Sequence, residues 1–148
     1  MKSELVIGPL SPQRLSVAAE LEMLCFSTPW SAGQLAESIS MPGSHFLEAV
    51  SDGRLVGYIG FYRVLDEGFV TNLAVHPDFR RKGVGRALLR RLISDCESLG
   101  VRTVSLEVRE SNAPAIALYL SEGFVVDGRR PRFYSRPTED ALLLSRRL

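Results

Sequence analysis

Apolar residues recur along this chain with two periods, and the switches between them mark out the elements. Leu5-Val6-Ile7 is a short apolar run stopped by Gly8-Pro9, the pattern of a first strand. Ser11-Pro12 then reads as a helix cap and first helical position, with Leu15, Ala18, Leu21, Leu24 and Cys25 following at helical spacing. Pro29 interrupts, Ser31 caps a second short helix running to about Ile39, and Met41-Pro42-Gly43 closes it. Three strands come next: His45 to Val50, Leu55 to Leu65 and Phe69 to Val75. The turn sequences Ser51-Asp52-Gly53-Arg54 and Asp66-Glu67-Gly68 join them into an antiparallel meander, which His76-Pro77-Asp78 ends.

Val84, Ala87, Leu88, Leu92, Cys96 and Leu99 mark a long amphipathic helix with Gly100 at its C-cap. Val101 to Val108 alternates as a strand does, with Val104, Leu106 and Val108 on one face and Ser105, Glu107 and Arg109 on the other. Ser111 or Asn112 caps a helix to about Ser121, with Pro114 in its first turn and Gly123 at its end. Two last strands are expected on either side of the Arg-rich, Pro-broken segment 129–137, the second from Ala141 to about Ser145. The order β-α-α-β-β-β-α-β-α-β-β predicts an α/β (α+β) fold on a mixed sheet, in a single domain over residues 1–148.

Composition narrows the class. Hydrophobic residues are 45% and charged residues 24%, with a net charge of +1, so the chain can bury a core and disorder is excluded as its main state. Its longest apolar runs, such as Ala141 to Leu144, are too short to span a membrane. Met1-Lys2-Ser3-Glu4 leads into no apolar signal core, and two cysteines make no disulfide framework, so the expected compartment is the cytoplasm. His45 and His76 stand apart with no further ligand at metal spacing, so no metal site is expected. The basic clusters, Arg80-Arg81-Lys82 and Arg129-Arg130 with Arg132 and Arg136, read as local anion sites or solvated faces; the near-zero net charge argues against direct nucleic-acid binding.

The segment from Asn72 to Gly85 carries the clearest chemistry. A strand runs into a turn, then into Arg80-Arg81-Lys82, then into Gly83-Val84-Gly85 at the start of the long helix. A helix start offers unpaired N–H groups and the positive end of its dipole, and glycines let an anion approach the backbone closely. The ending Gly-Lys-Ser/Thr of a P-loop is absent, and Leu88 stands where a dinucleotide fingerprint needs its third glycine. A plain structural turn remains the alternative for the two glycines taken alone.

Arg80-x-x-Gly83-x-Gly85, after the strand Asn72-Leu73-Ala74-Val75, resembles the pyrophosphate-binding motif of the GNAT N-acetyltransferases. Within that family three segments resemble the ribosomal-protein-alanine N-acetyltransferases. They are Leu106-Glu107-Val108-Arg109 with the following Ser111 to Tyr119 and Gly123-Phe124, then Cys25-Phe26-x-x-Pro29-Trp30-Ser31, and Glu139-Asp140-Ala141. The likeness covers about residues 5–145. It departs at Arg130-Pro131-Arg132-Phe133-Tyr134, where members of that group often carry Arg-Arg-x-Tyr-Tyr; only Tyr134 keeps the second phenol.

The resemblance implies a GNAT-like fold, acetyl-CoA as co-substrate and the N-terminal peptide of a protein, a ribosomal one, as acceptor. It implies coenzyme contacts from Leu73, Ala74 and Val75, from Arg80, Arg81, Lys82, Gly83, Val84, Gly85 and Arg86, and from Asn112. Phe26, Pro29, Trp30 and Tyr134 would wall the peptide groove. Glu107 would act as general base and Tyr119 as general acid. From the residues alone, Glu107 reads first as a surface carboxylate paired with Arg109 on its own face, Tyr119 as a core tyrosine near Ile116, and Asn112 as a helix cap. Cys25 and Cys96 read as small buried apolar side chains. A small-amine acetyltransferase and a non-catalytic acyl-CoA-binding module are the competing functions.

Overall fold

A computed structural model describes residues 4–148. The expected order of elements is present: β1 (Leu5–Pro9), α1 (Leu15–Cys25), α2 (Ala32–Ser40), β2 (Ser44–Ser51), β3 (Arg54–Val64), β4 (Glu67–Val75), α3 (Val84–Ser98), β5 (Thr103–Arg109), α4 (Ala113–Ser121), β6 (Val125–Tyr134) and β7 (Glu139–Arg147). Single 3-10 turns at Pro12–Arg14 and Pro77–Phe79 precede α1 and follow β4. One seven-stranded sheet runs β1-β2-β3-β4-β5-β7-β6, antiparallel at every pairing except the parallel pair β4–β5. No helix among the described residues is long and apolar enough to cross a membrane.

Local sequence explains the ends of the helices. Ser31 caps α2 in a reciprocal box, its Oγ accepting from Gln34 N while Gln34 Oε1 accepts from Ser31 N. Gly100 and Gly123 sit at φ +80° and +91°, where side-chain-bearing residues are strained. Each closes its helix with a pair of reversed hydrogen bonds: Val101 N to Cys96 O with Gly100 N to Glu97 O, and Phe124 N to Tyr119 O with Gly123 N to Leu120 O. Ser11 starts only the 3-10 turn; its hydroxyl meets Gln13 rather than a backbone N–H, so α1 begins later than its Ser-Pro signal suggests.

Two cores lie on opposite faces of the sheet. α3 and α4 cover one face, where Leu88, Leu89, Leu92 and Cys96 meet Ile59, Phe61, Val104, Leu106 and Leu144. α1 and α2 cover the other, where Ala18, Leu21 and Leu35 meet Phe46, Leu55, Tyr58 and Ala74. The buried face of α1 is Ala18, Leu21 and Glu22, while Leu24 is 56% exposed. The apolar spacing thus places Leu24 wrongly, and a carboxylate takes its place in the interior.

The last hairpin differs from its expected form. The Arg-rich segment does not separate two strands; Arg129 to Tyr134 belong to β6, at the edge of the sheet. Its register slips between Arg130 and Tyr134, so Pro131 falls in a bulge where no ladder N–H is required.

One irregularity shapes the site. β3 and β4 pair Gly60 with Asn72 and Phe61 with Val70, leaving Thr71 as an extra residue on β4. Such a bulge bends its strand. β4 pairs β5 only through Glu67, Gly68 and Phe69; beyond Phe69 the two parallel strands part. Gly68 holds this seam because a Cβ there would lie 2.2 Å from Phe61 Cζ, in the middle of the core. Gly68→Ala is expected to cost about 1–3 kcal/mol by overpacking, read as a fall of several degrees in Tm. An unchanged Tm would show that the Phe61 ring yields freely and that the seam does not depend on a bare backbone.

Candidate active site

Where β4 and β5 part, a cleft of about 500 Å³ opens. Leu73, Leu106, Ala115 and Tyr119 line it from the α3–α4 face, and Glu22, Asn72, Glu107 and Tyr134 from the α1–α2 face. The cleft therefore passes through the sheet. Its β4 edge is set by strand alternation. His76 N donates to Val56 O at 2.8 Å, so the backbone at His76 turns toward β3. Val75 turns the other way, its carbonyl accepting from Arg80 Nε at 3.2 Å and from Cys25 Sγ at 3.4 Å. By the same alternation the N–H of Leu73 faces the gap.

Glu107 and Tyr119 meet the cleft from opposite sides. Glu107 projects from the polar face of β5, is 39% exposed, and takes Arg130 Nη1 at 3.3 Å. The expected partner, Arg109, instead binds Glu139 at 3.2 Å, Pro137 O, Ser135 O and Ser27 Oγ, tying the β6–β7 turn to the end of α1. A same-face neighbour on β5 loses to arginines and carboxylates that β6 and β7 bring alongside. Tyr119 is buried against Phe124, whose ring stands edge-on at 5.5 Å. It is a core tyrosine, and it also lines the cleft. Burial raises its phenol well above the ordinary value, so it keeps its proton. Burial and the nearby Glu107 carboxylate raise Tyr134 to about 12, against the opposing pull of Arg109, whose guanidinium lies 4.6 Å from the Tyr134 ring centre.

Beneath these groups lies a polar network that the sequence pattern did not reveal. Glu22 is 1% exposed, and three donors meet its carboxylate: Trp30 N at 2.9 Å, Asn72 Nδ2 at 3.2 Å, and the Tyr58 hydroxyl. Burial first, and then the Glu22 charge, hold the Tyr58 phenol far above its ordinary value, so it serves as a donor. The one legible signal was an acid within the apolar stripe of α1, four residues after Ala18.

The loop before α3 has the form of an anion site. Gly83 caps the helix at φ +81° and no side chain caps it, which leaves the amides of the first turn open. Arg81 is also in the left-handed region, at φ +61°. A Cβ on Gly83 would project into open space, whereas one on Gly85 would stand 3.3 Å from Leu118, so Gly85 is there for the packing of α3 on α4. The cations do not all face the loop. Arg81 is exposed, and Lys82 lies 5.3 Å from the centre of the Phe79 ring. Arg80 turns back to Val75 and Cys25, and Arg86 binds Glu122 at 2.7 Å and Ser121 at 3.0 Å. Val84 is buried in the core beneath them.

The remaining candidates divide. Asn112 Oδ1 caps α4 by accepting from Ala115 N at 3.3 Å, and the residue also lines the cleft. Phe26 lines the cleft with 37% exposure; Trp30 lines it while packing on the α1–α2 core; Pro29 lies between them and is not part of the wall. Leu73 and Val75 point into the α3–α4 core and Ala74 into the other. Cys96 is buried as expected, but Cys25 is half-buried and hydrogen-bonded at the cleft. His45 pairs with Asp95 at 2.7 Å, and no group of three metal-ligating side chains forms among the described residues.

Known proteins resemble this chain in sequence and fold. The model of the acetyltransferase (GNAT) family matches residues 15–124. The chain is 39% identical over 145 residues to the [ribosomal protein bS18]-alanine N-acetyltransferase of Escherichia coli K12, covering 94% of this chain and 95% of that one. The crystal structure of the ribosomal-protein-S18-alanine N-acetyltransferase from Escherichia coli superposes with a TM-score of 0.90 at 36% identity, covering 97% and 94% of the two chains. That of Ard1 from Thermoplasma volcanium reaches the same score at 26% identity, covering 97% of each. The through-sheet cleft, the glycine-bearing start of α3 and these likenesses agree: the chain belongs to the GNAT acetyltransferase family.

Proposed function

We propose that this protein moves an acetyl group from acetyl-CoA to the α-amine of a protein N-terminus. Following its Escherichia coli relative, the acceptor is an N-terminal alanine of a ribosomal protein, met in the cytoplasm. One observation carries the reading. A carboxylate and a buried phenol line a single gap from opposite sides of the sheet, and α3, reached from the β4 edge of that gap, starts with no side-chain cap.

Acetyl-CoA brings the acyl group as a thioester. The residues fit it: the amides of Val84, Gly85 and Arg86 at the open helix start, with exposed Arg81 and Lys82, suit a pyrophosphate. Arg80 supports the loop by fixing it to Val75 O, and Arg86 contributes its backbone amide while its side chain braces α3 against α4. Leu73 N–H, turned into the gap, meets the oxygen that becomes negative as the amine adds. Glu107 Oε1 or Oε2 takes the proton from the amine, and Tyr119 Oη gives one to the departing sulfur. An α-amine suits a single half-exposed carboxylate: its ordinary pKa is about 8, against about 10.4 for lysine. Phe26, Trp30 and Tyr134 bound the approach on the Glu107 side.

Thiol release from acetyl-CoA tests the reading against three acceptors. A peptide beginning Ala-Arg with a free α-amine is expected to react; the same peptide blocked at that amine but carrying an internal lysine is not, nor is a polyamine. Reaction with the polyamine alone would establish the small-amine alternative, and coenzyme binding without turnover of any acceptor would favour a binding module.

Glu107→Gln is expected to lower kcat about 100-fold or more while the Kd for acetyl-CoA stays unchanged; full activity would remove the base. Gly83→Val puts a branched side chain at φ +81° and over the anion site, so acetyl-CoA should bind at least about tenfold more weakly; equal affinity would overturn the pyrophosphate assignment. Because burial raises the Tyr119 phenol, it stays protonated below pH 10, its ordinary value. Tyr119→Phe should therefore lower kcat by one constant factor at every pH up to about 10. An alkaline limb present in the wild type and absent from the variant would show that the phenol titrates inside that range.

A further inference from the structure

Asn72 carries the one buried side-chain polar atom among the described residues that has no hydrogen-bond partner, its Oδ1. The residue is 91% buried by its 9% relative exposure, and it lines the cleft. A free acceptor in such a place costs about 1–3 kcal/mol unless something donates to it. Its orientation is fixed. The Glu22 carboxylate can only accept, so the amide must turn Nδ2 toward Glu22 Oε2 and present Oδ1 elsewhere. Glu22 is itself locked by Trp30 N and by the Tyr58 hydroxyl.

The side of the sheet identifies the missing donor. Asn72 stands on the face of β4 that carries Ala74 and looks toward α1 and α2, the face on which Glu107 leaves β5. Tyr119 and the start of α3, to which the acyl-transfer reading gives the coenzyme, lie on the opposite face, which leaves the acceptor as the donor nearest Asn72 under that reading. Resting on the acyl-transfer reading above, we propose that Asn72 Oδ1 receives an N–H of the acceptor amine, and that Glu22 is a positioning residue that sets which end of the amide faces the cleft. An ammonium group offers three N–H bonds. One is given up as a proton to Glu107; the neutral amine keeps the other two, of which Asn72 Oδ1 holds one, and it turns about that contact to bring its new lone pair to the acyl carbon.

The proposal predicts a reciprocal exchange. In Glu22→Gln the new Nε2 opposes Asn72 Nδ2, so the asparagine amide turns over and presents a donor to the cleft. Asn72→Ala removes the acceptor outright. In the double variant Glu22→Gln/Asn72→Asp the amide and the carboxylate trade places. The new glutamine accepts from Trp30 N and donates to the new aspartate, which leaves one aspartate oxygen toward the cleft. With an Ala-Arg peptide, each single variant is expected to lose about tenfold or more in kcat/KM, and the double variant to regain most of it. The acetyl-CoA Kd should be the same in all four proteins. Cooperative thermal unfolding checks each fold, and Asn72→Ser replaces Asn72→Ala if the latter does not fold. Wild-type peptide kinetics in the folded single variants would overturn the proposal. So would a coenzyme Kd that weakens in step with kcat/KM, or a double variant no better than the singles. A wild-type protein that binds acetyl-CoA and acetylates no free-amine peptide would instead overturn the acyl-transfer reading beneath it.

Discussion

The parting of β4 from β5 after Phe69 is the constraint on which the rest of this structure depends. A sheet that stayed paired would satisfy its backbone groups and leave no passage between its faces. Here the extra residue Thr71 bends β4 at the point where pairing stops, while β5 continues straight along β7 to Arg109. The unpaired edge of β4 then presents backbone donors and acceptors to a cleft instead of a neighbour. The Val75 carbonyl finds Arg80 and Cys25, and the Leu73 N–H is left facing the gap. Bare backbone at Gly68 and the fully buried Phe61 hold the closed end of the seam.

Acyl transfer benefits from such a passage because its two proton transfers occur at different atoms. The amine loses a proton as it attacks, and the sulfur gains one as it leaves, on the far side of the carbonyl carbon. In the proposed reaction Glu107, partly exposed on one face, and Tyr119, buried on the other, would meet those unlike needs through unlike surroundings. The exposed carboxylate stays in contact with water and Arg130, while the buried phenol is kept neutral by its apolar neighbours. Phe124 supplies much of that surrounding, and the Gly123 turn that ends α4 puts it there.

The sequence made the fold legible through alternation and punctuation. Val104, Leu106 and Val108 against Ser105, Glu107 and Arg109 placed Glu107 on the polar face of β5, and Gly100 and Gly123 ended their helices where they were expected. The edge hairpin was less legible. Pro131 reads as a breaker in isolation, yet an edge strand tolerates it within a bulge. Pairings were also beyond reach, because Arg130 and Glu107 are 23 residues apart and meet only through the order β5-β7-β6. Glu22 was hidden for a related reason: periodicity ranks positions by hydrophobicity, so a carboxylate on the buried stripe yields to the exposed Leu24 beside it.

Glu22 shows why stability alone does not explain this site. A buried carboxylate is expensive unless its oxygens are fully hydrogen-bonded, and well-packed apolar side chains often serve the fold at least as well. Its three donors come from separate elements: Trp30 from the loop after α1, Tyr58 from β3 and Asn72 from β4. An apolar residue would fill the same volume but would hold none of those three in a particular orientation. The carboxylate fixes the end of the α1–α2 loop, and hence the Trp30 and Phe26 wall, relative to the β4 edge of the cleft. It also decides the direction of an amide whose oxygen would otherwise be free to face either way. The network therefore sets the geometry of the α1–α2 side of the cleft, and under the proposed function that is the side the acceptor enters.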